Sequence, residues 1–205
     1  MSDKKANPVR LRTQIKLLIK SFLRCLGLDI KRIHKDGYSH ASETSKCRSR
    51  LAVYCVGNGL DLGPGGDPII LSAVRVDLAS PYSSVGNLPV QLAGSAANLY
   101  WFADETLDYI FSSHLLEDFK DTKTVLREWL RPLKSGGKLV IFCPDEQVYR
   151  AHCKKTGQPY NPNHVHADFS LGKVKGILAS LNRTKIIYEQ DGVDIYSWEL
   201  VAEKL

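Results

Sequence analysis

The sequence predicts an α/β protein whose mostly parallel sheet ends in an antiparallel hairpin. Two observations carry that prediction. From about residue 51 onward, short apolar runs alternate with helix-like segments, the pattern of a sheet covered on both faces. Near the C-terminal end, two strand-like runs instead flank Asp191-Gly192 directly, as the arms of a hairpin would.

The elements follow in order. Leu11, Ile15, Leu18, Phe22 and Leu26 repeat at spacings of four, three, four and four, one stripe of a helix. Arg12, Lys16, Lys20 and Arg24 make a basic row on a neighbouring face, and Gly27 can close the helix. Residues 28–33 alternate apolar and charged side chains, a short strand pattern, and residues 34–50 are polar and read as a linker or covering loop. The strand runs beyond them are 60–62, 74–77, 90–92, 107–112, 138–142, 185–189 and 198–202. The clearest helix is 122–131, with Asp121 as its N-cap, and Ser135-Gly136-Gly137 turns the chain into the next strand. A second long helix is expected over 170–181, capped by Asp168 or Ser170. The chain thus divides into a basic helical arm with its linker, residues 1–50, and one domain, residues 51–205.

Composition bounds the function. At 43% hydrophobic and 24% charged residues the chain is an ordinary globular one. No apolar run approaches the roughly 18 residues that span a bilayer, and basic residues interrupt every apolar stretch near the N-terminus, which excludes a signal peptide. Five scattered cysteines without a CxxC pair point to reduced thiols in a cytoplasmic protein and give no zinc signal. Residues 1–35 carry 10 Lys+Arg and 2 acids, so the net charge of +6 belongs to the arm and the remainder is slightly acidic. A broad nucleic-acid-binding face on the body is therefore not expected. The arm itself has three readings: it covers the sheet, it contacts nucleic acid, or it lies through residues 10–26 on an anionic inner membrane surface. Its apolar stripe favours the first and third.

The strongest chemical signal is Leu60-Asp61-Leu62-Gly63-Pro64-Gly65-Gly66-Asp67. A short strand runs straight into a glycine-rich turn, where ligand atoms can approach the backbone. Asp61 suits a ligand with an ammonium group and is misplaced against a pyrophosphate, which argues against a nicotinamide-dependent oxidoreductase. Asp77 ends the second strand, where a carboxylate can accept hydrogen bonds from both hydroxyls of a ribose.

These residues and four later segments resemble the class I S-adenosylmethionine-dependent methyltransferases of the type 11 group, over about residues 57–145. Asp61, Gly63 and Gly65 match the family's acid-x-Gly-x-Gly-x-Gly loop, with Asp67 in place of the third glycine. Gly94-Ser95-Ala96 is similar to the Gly-Asp-Ala turn that faces the adenine. Residues 99–108 resemble the approach to strand four, and Ser112-Ser113-His114-Leu115-Leu116-Glu117-Asp118 the segment beside the methyl donor. Residues 126–142 resemble the helix, glycine turn and fifth strand that complete the pattern. The resemblance implies a Rossmann-like three-layer sandwich on a seven-stranded sheet. It also implies S-adenosylmethionine as cofactor, held by Asp61, Gly63, Pro64, Gly65, Asp77, Ser95, Ala96, Ser112 and Ser113. Asp77 lies only 14 positions after Gly63, where about 20 is common. With Pro68 following the loop, the first crossover helix is a stub or absent, and the donor pocket is expected to be open on that side.

Methyl transfer from a sulfonium requires an in-line geometry and exclusion of water, with no metal. For an oxygen acceptor a general base helps, and the resemblance puts His114 at the carboxyl end of strand four as the first candidate. Asp145 could reach the same crevice or simply cap the next helix. His164-x-His166 offers two metal ligands without a third. Tyr149, Arg150, Tyr160 and Asn163 could line a sugar or other polar acceptor. The expected function is methyl transfer to a small-molecule or saccharide acceptor at oxygen; the alternative, fed by Asp67 and Ser95, is a non-catalytic binding or scaffold protein with this fold.

Overall fold

A computed structural model describes residues 38–39, 41–82 and 84–205. The expected helix of the basic arm and the strand pattern at 28–33 lie outside the described residues. Seven strands form one sheet in the order β3-β2-β1-β4-β5-β7-β6. They are β1 (Gly59–Leu62), β2 (Val74–Asp77), β3 (Leu92–Ala93), β4 (Leu107–Ser113), β5 (Leu133–Pro144), β6 (Thr184–Val193) and β7 (Ser197–Lys204). The first five run parallel, and β7 joins β5 and β6 antiparallel.

Strand alternation sorts the core into two layers. Ile110, Leu139, Ile141, Leu200 and Ala202 face one side, together with α2 (Thr122–Leu130) and α4 (Leu171–Leu181). Tyr109, Phe111, Val140, Phe142 and Val201 face the other. Asp121 and Ser170 cap α2 and α4 through their side chains.

Residues 34–50, expected to be a linker, hold instead the helix α1 (Glu43–Leu51), which puts Cys47 and Leu51 into the second layer. The helix buries only one narrow stripe, so most of its positions are polar and its composition resembles that of a loop. Between β1 and β2 the described residues form no helix, as the short spacing requires. Ile69 and Ala73 of that crossover fill in beside α1. α1 therefore covers sheet that a first crossover helix would otherwise occupy.

Two turns differ from expectation. Gly136 and Gly137 lie within β5, where the pairing shifts between Leu107↔Leu133 and Tyr109↔Lys138, so the glycines form a bulge rather than a separate turn. Asp191-Gly192 likewise falls inside β6 at a register shift, and the hairpin turns at residues 194–196. The extra residues of a bulge and those of a turn share the same composition, so local sequence does not separate the two. A further helix, α3 (Glu146–Thr156), follows β5.

Candidate active site

The parallel strands end on one side of the sheet, and their order reverses between β1 and β4, where open α/β sheets bind ligands. Two cavities lie there and share Gly63, Asp77, Tyr82 and Leu115. The α1 cavity adds Ser42, Glu43 and Thr44, the Pro64-Gly65 turn, Ser113, His114, and Tyr149, Asn161, His164 and Tyr196. The β3 cavity adds Gly94, Ser95, Ala96, Asp118 and Asn163.

The glycine turn is locally determined. Gly63, Gly65 and Gly66 all have positive φ, a region that costs side-chain-bearing residues energy. Gly86 comes so close to Gly66 that a Cβ on it would lie 1.8 Å from the Gly66 carbonyl oxygen. The amides of Val85 and Gly86 donate to the Gly65 carbonyl at 2.9 and 3.0 Å. The side expected to be open is thus occupied by the segment after β2 and by the first turn of α1.

Asp67 explains its own departure from the family glycine. Its buried carboxylate accepts from the Ser39 amide at 2.8 Å and from the Ser42 hydroxyl, and pairs with Arg48 at 2.8 Å. It ties the turn to α1 instead of making room for a crossover helix.

Three of the expected site residues face away from both cavities. Asp61 is fully buried, and its Oδ2 accepts from the Ile69 amide at 2.6 Å. It is held on the α1 face of β1, because Leu60 and Leu62 take the other face. Burial pushes its pKa well above the ordinary carboxylate value. Ser112 turns its hydroxyl to the Leu62 carbonyl at 3.4 Å. Asp145 caps α3 by accepting from the amides of Gln147 and Val148, both at 3.1 Å. The remaining expected residues, Gly63, Pro64, Gly65, Asp77, Ser95, Ala96, Ser113 and His114, line one or both cavities.

Asp77 accepts from the amides of Leu78 at 2.8 Å and Gly65 at 3.3 Å, which aims its carboxylate across the junction of the cavities. Partial burial raises its pKa. Ser95 spends its hydroxyl oxygen on the Ala97 amide at 3.3 Å. Trp101 packs against Gly94, where a Cβ would fall 2.0 Å from the indole.

His114 has φ 49, the left-handed region, and its ring packs on Phe142. Burial first, then the charge of Lys46, push its pKa down to about 3, so the imidazole is neutral and a weak base. Beneath it lies a group of buried residues that sequence reasoning did not connect. Glu146 is fully buried and accepts from Arg150 Nε at 2.8 Å and from the Tyr160 hydroxyl. Its Oε2 lies 2.9 Å from His164 Nδ1. Glu117 Oε1 lies 3.6 Å from His164 Nε2 and 3.8 Å from His114 Nδ1. Arg150, Tyr160 and His164 were candidates from the sequence, but nothing there linked them to Glu146 or Glu117. His166 bonds instead to the Phe119 carbonyl at 2.9 Å, so the two histidines do not converge, and no metal-binding group occurs among the described residues.

Glu117 is fully buried, and burial first, then the neighbouring Asp118, raise its pKa well above its ordinary value. A carboxyl whose folded pKa is raised adds stability below its unfolded pKa of about 4.3 and loses it as pH rises toward the folded value. Glu117→Gln removes that loss. The variant is therefore expected to match the parent near pH 4 and to exceed it increasingly from pH 5 to 8, as read from urea midpoints across that range.

Among the residues lining these cavities, Ser113 Oγ and Asp118 Oδ1 are buried with no hydrogen-bond partner among the described residues. Buried polar groups are rarely left so, and both residues line the cavities. A methyltransferase domain model matches residues 68–141, from just after the glycine turn through most of β5. The match covers a little over one third of the chain, and over that stretch the sequence is similar to methyltransferase domains. This methyltransferase is an enzyme whose cofactor is S-adenosylmethionine. Among solved structures, an S-adenosylmethionine-dependent methyltransferase of Thermotoga maritima is similar at 18% identity and TM-score 0.60, covering 82% of this chain and 90% of that one. A protein of Pyrococcus horikoshii is similar at 18% identity and TM-score 0.59, covering 91% and 99%. A methyltransferase of Aquifex aeolicus gives 15% identity and TM-score 0.55, covering 80% and 90%. At these identities the likeness is one of fold. A search of curated proteins finds no match.

Proposed function

We propose that this methyltransferase transfers a methyl group to a hydroxyl oxygen of a small polar acceptor, a saccharide being the favoured class, held in the α1 cavity. S-adenosylmethionine supplies a sulfonium-activated methyl group. In this reading the turn at Gly63, Pro64 and Gly65 lets the donor approach the backbone, and Asp77 accepts from its ribose hydroxyls. Ala96 and Ser95 border the adenine. Asp118 Oδ1, unpartnered in the β3 cavity, takes over the acceptor role that Ser95 has lost.

The observation that carries the acceptor reading is the His164–Glu146 pair. Its 2.9 Å contact fixes the imidazole through Nδ1, on a residue that lines this cavity. A buried carboxylate stabilises the imidazolium that forms when the acceptor proton arrives. His114, held neutral beside Lys46, is better suited to position the acceptor hydroxyl than to take its proton. Tyr149 and Tyr196, with rings 5.0 Å apart, supply the flat walls that sugar rings pack against.

The test is a transfer assay from S-adenosylmethionine to a panel of monosaccharides and other small alcohols, phenols and amines. Oxygen-methylated product is expected. His164→Asn should lower kcat by about 10²–10⁴ while donor affinity holds. Nitrogen-methylated product alone, or an unaltered kcat in His164→Asn, would overturn this reading.

A further inference from the structure

Asp61 is the expected partner for the ammonium of the donor's amino-acid end, yet it lines neither cavity and its Oδ2 is engaged by the Ile69 amide. The amino-acid end carries one carboxylate and one ammonium, and both need partners beside the glycine turn. No crossover helix follows that turn among the described residues, so the usual source of free backbone amides is missing too.

The first turn of α1 stands in that place. Ser42, Glu43 and Thr44 line the same cavity as Gly63, Pro64 and Gly65. Ser42 caps the helix by accepting from the Ser45 amide at 2.9 Å. The amides of Glu43 and Thr44 have no acceptor within the helix, as the first turn of any α-helix requires. Together with the helix dipole they favour an anion.

A second, independent feature points to the same occupant. Ser113, at the end of β4, is 7% exposed, lines this cavity, and its hydroxyl has no partner among the described residues. Ser113 and the first turn of α1 thus line one cavity from two different elements, and a hydroxyl with two amides is a donor set suited to a carboxylate. The Glu43 side chain supplies the opposite charge for the ammonium: it lines the cavity and lies 3.4 Å from His114 Nε2. Lys46 sits 2.8 Å from Glu43 and holds that carboxylate in place.

We propose that α1 replaces the missing crossover helix as the holder of the donor's amino-acid end. The carboxylate binds the Glu43 and Thr44 amides and the Ser113 hydroxyl, and the ammonium binds the Glu43 carboxylate. The assignment rests on S-adenosylmethionine occupying these cavities. Helix α1, anchored to the turn through Asp67 and Arg48, thereby couples donor binding to its own docking.

Calorimetry with two probes tests it without any acceptor. S-adenosylhomocysteine carries the amino-acid end, and 5′-methylthioadenosine keeps the adenosine and thioether but lacks that end. Ser113→Ala and Glu43→Gln should each weaken S-adenosylhomocysteine about tenfold, the loss of one charge-assisted hydrogen bond, and leave 5′-methylthioadenosine unchanged. Asp61→Asn should leave the ratio of the two affinities as in the parent. Undiminished S-adenosylhomocysteine affinity in both variants, equal losses for both probes, or a selective loss in Asp61→Asn would overturn the proposal while the donor site stands. A parent protein that bound neither probe would overturn the donor site and the proposal together.

Discussion

Asp67→Ala is expected to lower the free energy of unfolding by about 3–5 kcal/mol, the usual consequence of removing one partner from a buried ion pair. The carboxylate is completely buried and has three partners, the Ser39 amide and Ser42 hydroxyl from the chain that leads into α1 and Arg48 from α1 itself. The Arg48 side chain is itself only 16% exposed. Without Asp67 it keeps the Pro68 carbonyl at 3.2 Å and the Tyr38 ring at 4.2 Å, neither of which neutralises its charge. The glycine found in the family at this position should be no better than alanine, since it also lacks the carboxylate. Chemical denaturation gives the magnitude, and amide exchange should show the loss concentrated in α1. Adding Arg48→Met should restore part of it, because the stranded charge is then gone. A loss below about 1 kcal/mol, or no recovery in the double variant, would mean that the pair does not hold α1 to the turn.

Asp77→Ala should reduce affinity for S-adenosylhomocysteine about 10²-fold, close to 3 kcal/mol for two hydrogen bonds from ribose hydroxyls to one carboxylate. Asp77→Asn keeps one acceptor oxygen and should lose less. The carboxylate also receives the Gly65 amide at 3.3 Å, so part of the effect is a slackened glycine turn. Burial raises the Asp77 pKa, which makes the interaction pH-dependent in a defined direction. The ionised form is the better acceptor, and donor affinity should fall with acidification at a pH above the ordinary aspartate value of about 3.9. Isothermal titration at several pH values reads both effects. Affinity unchanged in Asp77→Ala would remove this residue from the donor site.

Much of the sheet was legible because its signals are local. An apolar run ending in glycines at Gly63 and an acid closing the run at Asp77 are properties of a few neighbouring residues. So is the capped stripe of α2. The segments that misled are those where one composition serves two geometries. Gly136-Gly137 and Asp191-Gly192 could make turns or bulges, and long-range strand pairing selected bulges. Helix α1 was concealed because it buries little more than Thr44, Cys47 and Leu51 among polar neighbours.

The candidate site was read less completely. The residue types at Asp61 and Asp145 suited the chemistry, but amide donors at Ile69 and at the start of α3 captured them. Nothing near Glu117 or Glu146 marks them as buried acids, since a carboxylate in a short polar segment is usually solvated.

By itself the sequence determined an α/β chain with a glycine turn, a shortened first crossover and a terminal hairpin. Those features follow from backbone preference and the alternation of side chains, which act over a few positions. Only the tertiary structure decided which polar groups share a cavity. Glu43, Ser113, Glu146 and His164 are far apart in the chain, and the sheet order with its covering helices brings them to one edge. The physical reason is that burial and hydrogen-bond geometry are set by neighbours in space, and a carboxylate's role depends on which donor reaches it first.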